Sequence, residues 1–258
     1  MNRAPSRPGA SMAAMIGHLL RSWMRNPIMI IQTLVFPAML LIMFDVVFGK
    51  TMGGAGGDSI AGTTALIALV GVMQGGLVTA VYLIRDRESG LLDRLWTQPA
   101  RRWTLLGSRL VAEMIRGLVS TAVLLVVGVA MGLRPEGGPL PLLGALILPT
   151  LFGAACSTML VALTIRGSEK AALQTFSGLF LVLLFLNTGF APAENYDDWL
   201  RPFIEHQPMS AAIDACRALY GGTVDWPAAF EALAWIAGML VVFGWLEVRG
   251  MRSVIGRR

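Results

Sequence analysis

The chain alternates long runs of apolar residues with short segments that hold most of its charged residues. Apolar windows occur at about 28–48, 60–84, 104–132, 140–165, 171–190 and 227–248. A hydrocarbon core about 30 Å thick is crossed by roughly 20 residues of α-helix, so each window is long enough to span a bilayer. The runs do not alternate with a period of two, which favours helices over a β-barrel. The pattern predicts an all-α membrane protein with six spans in a single transmembrane domain, residues 1–258.

The segment before the first window is amphipathic. Its apolar side chains recur near helical spacing, at Met12, Met15, Ile16, Leu19, Leu20 and Trp23. Arg21 and Arg25 lie largely on the other side of the same helix. This pattern predicts an interfacial helix over residues 11–26 that Trp23 anchors at the membrane surface. Asn26 and Pro27 then end the helix and turn the chain into the first span.

A charged loop over residues 86–99 follows the second window. Its residues Leu91, Leu92 and Leu95 fall at positions i, i+1 and i+4, which gives a short helix one apolar edge. Pro99 ends this helix. Because the loop is too charged to enter lipid, its apolar edge must pack against something other than the bilayer core.

The long connection between the fifth and sixth windows, residues 191–222, is too polar to form a full span. It contains two half-length amphipathic stretches, near residues 195–204 and 210–219, separated by Gln207 and Pro208. Short re-entrant helices that dip into the outer leaflet account for this pattern, provided that protein covers their backbone. Ser210 is a candidate N-cap for the second helix.

Composition and charge agree with a membrane location. The sequence is 55% hydrophobic and 14% charged, whereas soluble domains carry about a quarter charged residues. Of the 21 Lys and Arg residues, sixteen lie on one side of the predicted spans and four on the other. Basic loops stay in the cytoplasm, so we expect a bacterial plasma-membrane protein with both termini in the cytoplasm. This topology also explains the net charge of +5 without a nucleic-acid partner.

The sequence shows no motif for catalysis or for metal binding. It contains no HExxH or GxSxG, and neither its two cysteines nor its two histidines have metal-ligand spacing. Gly49-Lys50-Thr51 resembles the end of a phosphate-binding loop, but Phe44 stands where the first glycine of that motif is required. We therefore expect this chain to bind no metal or cofactor and to hydrolyse no nucleotide.

Two acidic residues fall inside the predicted spans. Asp45 lies about one turn from the outer end of the first window, and an acid in the membrane is a functional candidate by default. Solvation by headgroups, or a structural role, explains it more simply. Glu113 is flanked by Arg109 and Arg116 at helical spacing, which favours local charge neutralisation.

Two pairs of glycines have the GxxxG spacing that lets membrane helices approach closely. Gly71 and Gly75 lie in the second window, and Gly128 and Gly132 lie in the third. We expect these positions to pack helices together within the chain, with a seam between two copies as the alternative.

The loop after the second window carries the pattern E-x-G-x-x-x-R-L, filled by Glu88, Gly90, Arg94 and Leu95. Together with the amphipathic first helix, the order of six windows and the outer segment, it makes the whole chain resemble the permease subunits of type-2 ABC exporters. The resemblance is strongest to the daunorubicin-resistance-like branch of actinobacteria. It implies a half-transporter that pairs with a second permease, identical or paralogous, and with two copies of a separate ATP-binding subunit that holds ATP and Mg.

The resemblance also implies which residues contact the ATP-binding subunit. In that family the loop is a coupling helix seated in a cleft of the ATPase. The loop residues so implied are Glu88, Gly90, Leu91, Leu92, Arg94, Leu95, Trp96, Arg101 and Arg102. Arg21, Trp23 and Arg25 of the first helix would rest on the same partner. Family members move drugs, lipids or polysaccharides, and a chain with three tyrosines has no row of aromatics for a sugar polymer. We therefore expect export of a hydrophobic or amphiphilic compound.

Two other classes of function remain open on the sequence alone. An ion-coupled secondary transporter would need a broken helix or paired charges at mid-membrane. A membrane scaffold or assembly subunit would have no ATPase partner.

A cysteine introduced at Thr97, beside Trp96, tests the predicted topology. It should react with a membrane-impermeant maleimide only after the cells are opened, because arginine-rich segments are costly to move across a bilayer. A cysteine at Asp197 should instead be labelled in intact cells. Labelling of position 97 in intact cells would contradict the topology.

Overall fold

The computed structural model describes residues 8–52, 57–88, 102–166, 169–189 and 193–255. All regular structure in these residues is helical. The helices are α1 (Pro8–Met24), α2 (Pro27–Ile30), α3 (Phe36–Met52), α4 (Gly57–Glu88), α5 (Arg102–Ala130), α6 (Pro139–Arg166), α7 (Glu169–Phe185), α8 (Arg201–His206), α9 (Pro208–Tyr220) and α10 (Trp226–Ile255). A π-helical turn, Ile31–Val35, joins α2 to α3 into one continuous first span.

Five stretches of the described residues are long and apolar enough to cross a membrane. They are Pro27–Val47, Ile60–Leu77, Gly107–Ala130, Pro139–Thr164 and Trp226–Arg249. The fifth predicted window corresponds to a shorter apolar helix, Ala171–Phe185, within α7. The prediction of an all-helical membrane protein with about six membrane helices is therefore confirmed. The fifth helix ends before position 190 because the Asn187 side chain bonds to the last carbonyls of α7, those of Leu183 and Leu184.

The bundle is built around α4. The membrane-spanning part of α4 is 78% buried, compared with 17% for the first span and 11% for the last. Its central residues Leu66, Ile67 and Leu69 have no exposed surface and contact α5, α6 and α9 through the core. The first and last spans lie at the periphery and present most of their apolar side chains outward, as lipid-facing helices do.

The two amphipathic segments lie at opposite ends of this bundle. At one end, α1 packs on α5, with the Met12 side chain beside Gly107. At the other end, α9 packs against the beginning of α4, where Arg217 lies against Gly62. Because α4 and α5 run in opposite directions across the bundle, this arrangement places α1 and α9 beyond opposite membrane faces.

A glycine contact fixes the end of α9 to the loop between α5 and α6. Gly137 and Gly222 both have positive φ, at +78° and +75°, and their backbones touch. A Cβ on Gly137 would come within 2.4 Å of the Gly222 Cα atom. Next to this contact, the Glu136 amide donates to the Tyr220 carbonyl at 2.9 Å. Only glycine combines this backbone conformation with so close an approach.

The polar connection before the last span contains the two short helices that its pattern predicts, α8 and α9. The cap of α9 differs from the predicted one. Gln207 is the N-cap and Pro208 occupies the first turn. Ser210 lies one turn inside the helix, buried, and its hydroxyl faces the end of α7.

We expect Gly153→Ala to destabilise the folded chain. A Cβ at this position would lie 2.6 Å from the Val72 Cβ atom across the α4–α6 contact, and backbone must move to relieve the clash. Overpacking of this kind costs about 1–3 kcal/mol. The measurement is thermal unfolding of the purified chain in detergent. Gly178→Ala is the matched control, since no atom lies within 4 Å of its added Cβ. Equal melting temperatures for the two variants would contradict the close contact.

Candidate functional site

The residues predicted to contact an ATPase fall into two groups in the structure. Glu88 is the last residue of α4 and Arg102 is the first residue of α5. The loop residues between them lie outside the described part of the chain: Gly90, Leu91, Leu92, Arg94, Leu95, Trp96 and Arg101. Arg21 and Arg25 of the first helix are described, and both are exposed.

Trp23 differs from the two arginines around it. Its side chain is 9% exposed and belongs to the half-buried stripe of α1, with Met12, Leu19 and Leu20. The indole Nε1 is buried without a hydrogen-bond partner among the described residues. Packing inside the chain already covers most of the Trp23 ring, and its contact with the ATP-binding subunit stays a prediction.

The end of α1 and the start of the first span enclose a cleft of about 640 Å³. The residues that line it are His18, Arg21, Ser22, Arg25, Asn26 and Pro27. Asn26 sets the bend, because its extended backbone breaks the helix and its side-chain Oδ1 accepts from the Ile28 and Met29 amides at 3.1 and 3.3 Å. Its Asx cap therefore begins α2 where the apolar span begins.

Within the membrane, Arg116 and Glu113 of α5 form a buried ion pair. Their side chains are 9% and 7% exposed, and the Arg116 Nη2 atom donates to the Glu113 carboxylate. The same nitrogen donates to the Gly75 carbonyl of α4 at 2.7 Å. A side chain on Gly75 would press on the guanidinium, with its Cβ 3.3 Å from Nε. The predicted local neutralisation of Glu113 by Arg116 is present, and Arg116 also ties α5 to α4.

A second polar contact ties the first span to α5. Pro37 has no amide hydrogen and so cannot bond to the Thr33 carbonyl four residues earlier. The helix widens into the π turn at this point, and the Ser120 hydroxyl of α5 donates to the Thr33 carbonyl at 2.9 Å. A backbone carbonyl that the proline leaves free inside the membrane is thus satisfied by a neighbouring helix, as spanning segments require.

The acid in the first span and the glycines of the two GxxxG spacings have different surroundings in the structure. Asp45 is half-buried on α3. Gly71 faces Pro37 and Leu124, and Gly128 faces Thr64, so both lie at contacts within the chain. Gly132 does not pack helices, because it follows the end of α5 in a turn with φ of +111° and open space around it. The second GxxxG spacing therefore pairs a packing glycine with a turn glycine.

A polar network that the sequence analysis did not predict joins the end of α7 to α9. The Arg217 guanidinium donates to the Asp214 carboxylate at 3.0 Å and to the Thr188 carbonyl at 2.7 Å. The Thr188 hydroxyl also donates to the Asp214 carboxylate at 3.0 Å. Gln207 donates to the Ser210 hydroxyl and to the Leu186 carbonyl. These bonds satisfy the carbonyls of Leu186 and Thr188, which lie just beyond the end of α7.

Burial dominates the electrostatics of this network. It raises the pKa of the Asp214 carboxyl above its ordinary value, while the Arg217 charge and the Thr188 hydroxyl act in the opposite direction. Burial also raises the pKa of the Tyr220 hydroxyl, which stays protonated at neutral pH. In the sequence, the i, i+3 spacing of Asp214 and Arg217 indicates an ion pair between them. It does not predict that Thr188, 26 residues before Asp214, bonds to both.

Nothing in the described residues resembles a metal centre. No group of three or more His, Cys, Asp or Glu side chains is placed there to hold an ion. The polar contacts that the structure does show hold helices to one another, at the Arg116 pair, at Ser120 and at the end of α7.

Arg116→Ala should destabilise the chain strongly. The variant removes the Arg116 guanidinium from the buried Glu113 carboxylate, and breaking a buried ion pair costs about 3–5 kcal/mol. Thermal unfolding in detergent measures the loss, and the double change Arg116→Met with Glu113→Leu should recover most of it. Arg201→Ala is the control, since its pair with Glu205 is half-exposed and its loss should change the melting temperature little. Equal effects of Arg116→Ala and Arg201→Ala would contradict the assignment.

Comparison with known proteins assigns the chain to a family. The family described as ABC-2 type transporter matches residues 11–220. The chain is 34% identical over 251 residues to the probable doxorubicin resistance ABC transporter permease protein DrrC of Mycobacterium tuberculosis, which covers 93% of this chain and 91% of the relative. It is 28% identical over 256 residues to the daunorubicin resistance ABC transporter permease protein DrrB1 of Streptomyces coeruleorubidus, covering 97% and 90%. The chain is therefore a multi-pass membrane protein of the ABC-2 type transporter family.

Proposed function

We propose that the chain is the permease subunit of an ATP-driven exporter that moves hydrophobic or amphiphilic compounds, drugs or lipids, out of the cytoplasm or the inner leaflet. The observation that carries this proposal is similarity along more than nine-tenths of the chain to permeases named for doxorubicin and daunorubicin resistance. These names agree with the hydrophobic or amphiphilic substrate that the sequence leads us to expect.

The motor belongs to separate subunits in this proposal. The sequence offers no phosphate-binding loop, since Phe44 replaces the glycine that the Gly49-Lys50-Thr51 segment would require. Two ATP-binding subunits would hold ATP and Mg and would dock beneath α1 and the loop between α4 and α5. Both termini would then lie in the cytoplasm, and α8 and α9 would lie outside.

The contacts inside the bundle suggest how movement of that loop reaches the spans. The loop joins α4 to α5, and the Arg116 bond to the Gly75 carbonyl joins the same two helices inside the membrane. The Ser120 bond to Thr33 then connects α5 to the first span. A displacement of the loop would thus move α4, α5 and the first span together. Different contacts with the ATP-bound and ATP-free motor would supply the driving force.

Helix α7 supports pairing with a second permease, identical or paralogous. It packs on α6 and more lightly on α4, and most of its surface is open. The open surface includes Gln174, Thr175 and Ser177, and Gly178 with no atom within 4 Å of an added Cβ. Small and polar residues of this kind favour helix association in membranes. We propose that the corresponding surface of the second permease covers α7.

Alanine at Glu88 or at Arg94 should weaken assembly with the ATP-binding subunit or uncouple ATP hydrolysis from transport, without unfolding the spans. The reason is that these charges would lie at the motor contact. Co-purification, drug-stimulated ATPase activity and doxorubicin transport in vesicles measure the three effects. Glu194→Ala and Arg134→Ala remove the same charges from the predicted outer side and should leave all three unchanged. Wild-type behaviour of both test variants would count against the contact.

The same vesicles separate the rival functions. An ATP-driven exporter keeps transporting when a protonophore removes the proton gradient, whereas a proton-coupled transporter stops. The buried Glu113–Arg116 pair is the intramembrane charge that proton coupling would use, but its bond to Gly75 fits a structural role. A scaffold subunit would show neither transport nor a co-purifying ATPase.

A further inference from the structure

The cleft at the end of α1 combines a membrane-surface position with the positive charge of Arg21 and Arg25. Both ends of α1 lie where spans begin. The Met12 side chain touches Gly107, the first residue of the third span, and α1 ends at Met24, three residues before Pro27 begins the first span. Helix α1 therefore lies along the boundary between hydrocarbon and water, at the depth of the lipid headgroups.

The charge of the cleft comes from arginines that no acid on their own segment balances. Arg21 and Arg25 are exposed on the same face as His18 and Ser22. The first acidic residue of the chain is Asp45, near the far end of the first span. Among the described residues, the four ion pairs involve neither Arg21 nor Arg25.

An apolar surface continues from the cleft along the first span. Ile28, Ile31 and Val35 follow one another at helical spacing on the first span and are 63%, 52% and 42% exposed. This stripe lies directly beyond Arg25 in the chain and runs into the hydrocarbon core. A ligand that fits both features has an anionic head at the level of the cleft and a hydrocarbon tail along the stripe.

We propose that this cleft binds the phosphate of an anionic phospholipid in the leaflet where α1 lies. The guanidinium groups of Arg21 and Arg25 pair with the headgroup phosphate, to which arginine presents two parallel N–H donors. The Ser22 hydroxyl lies between them on the same face and donates a further bond. One acyl chain lies against Ile28, Ile31 and Val35. The bound lipid fixes α1 at the membrane surface beside the start of α5.

This proposal goes beyond the transport function and requires only that α1 lies at the bilayer surface. It also gives Arg21 and Arg25 a role other than the ATPase contact that the family resemblance implies. The buried Trp23 favours the lipid, because the residue between the two arginines faces the protein and leaves a narrow polar edge at the bilayer instead of a broad docking face.

The test measures lipid binding to the purified full-length chain by native mass spectrometry. The probes are dioleoyl phosphatidylglycerol and dioleoyl phosphatidylcholine, titrated separately. We expect preference for phosphatidylglycerol, and a loss of about fivefold in its affinity for each of Arg21→Gln and Arg25→Gln, since one basic residue near an anionic surface is worth about 1 kcal/mol. Arg21→Lys and Arg25→Lys keep the charge but lose the two parallel N–H donors, so each should lose affinity by less than the corresponding Gln variant. Arg134→Gln, an exposed arginine at the other end of the bundle, should have no effect.

Several results would overturn the proposal. Equal affinity for the two lipids, or equal losses in Arg134→Gln and in the cleft variants, would show that the arginines do not select the headgroup. Wild-type lipid affinity combined with loss of the co-purifying ATP-binding subunit would assign Arg21 and Arg25 to the ATPase. Displacement of the lipid by inorganic phosphate more than by chloride at equal ionic strength would show a site for free phosphate. A normal melting temperature excludes misfolding, and the Glu88 and Arg94 variants test the transport proposal independently.

Discussion

The cost of leaving a polar group unpaired in hydrocarbon governs the arrangement of this bundle. No water is present there to bond a free carbonyl or to solvate a charge, so each such group needs a partner from the protein. The first span breaks its own hydrogen-bond ladder at Pro37, and Ser120 of α5 bonds to the carbonyl that is left over. The Arg116 guanidinium is likewise bonded to Glu113 and to the backbone of α4. Both solutions use side chains of α5, one bonded to the first span and the other to α4, and together they tie the three helices into one unit.

The same cost explains why the polar segments lie at the ends of the bundle and how they are held. Helices α8 and α9 are too short and too polar to cross the membrane. Helix α9 lies against the start of α4, and a network of side-chain and backbone bonds joins it to the end of α7. That network lies at the end of α7, where Asn187 bonds to a terminal carbonyl of the helix and Arg217 bonds to the Thr188 carbonyl just beyond it. At the other end, α1 keeps its apolar stripe on α5 and its arginines outward.

These contacts divide the chain into a firmly joined part and a loosely joined part. Helices α4, α5 and α6 share close contacts such as the one between Gly153 and Val72. Helix α7 is held mainly at its C-terminal end, by the Thr188 and Arg217 bonds, and most of its other surface is open. In the proposed half-transporter, α4 and α5 receive the movement of the motor, and α7 is the helix free to meet a second permease.

The sequence alone determined the number of membrane helices, the amphipathic first helix and the two short helices before the last span, because each depends on hydrophobic periodicity and length within one segment. It also predicted the neutralisation of Glu113 by Arg116, since the two residues lie one helical turn apart. The tertiary structure alone decided what depends on contacts between distant segments. Ser120 meets Thr33 and Arg217 meets Thr188 across 87 and 29 residues. Trp23 faces inward for the same reason. Burial and helix termini are set by the neighbours that the fold supplies, which one-dimensional spacing does not contain.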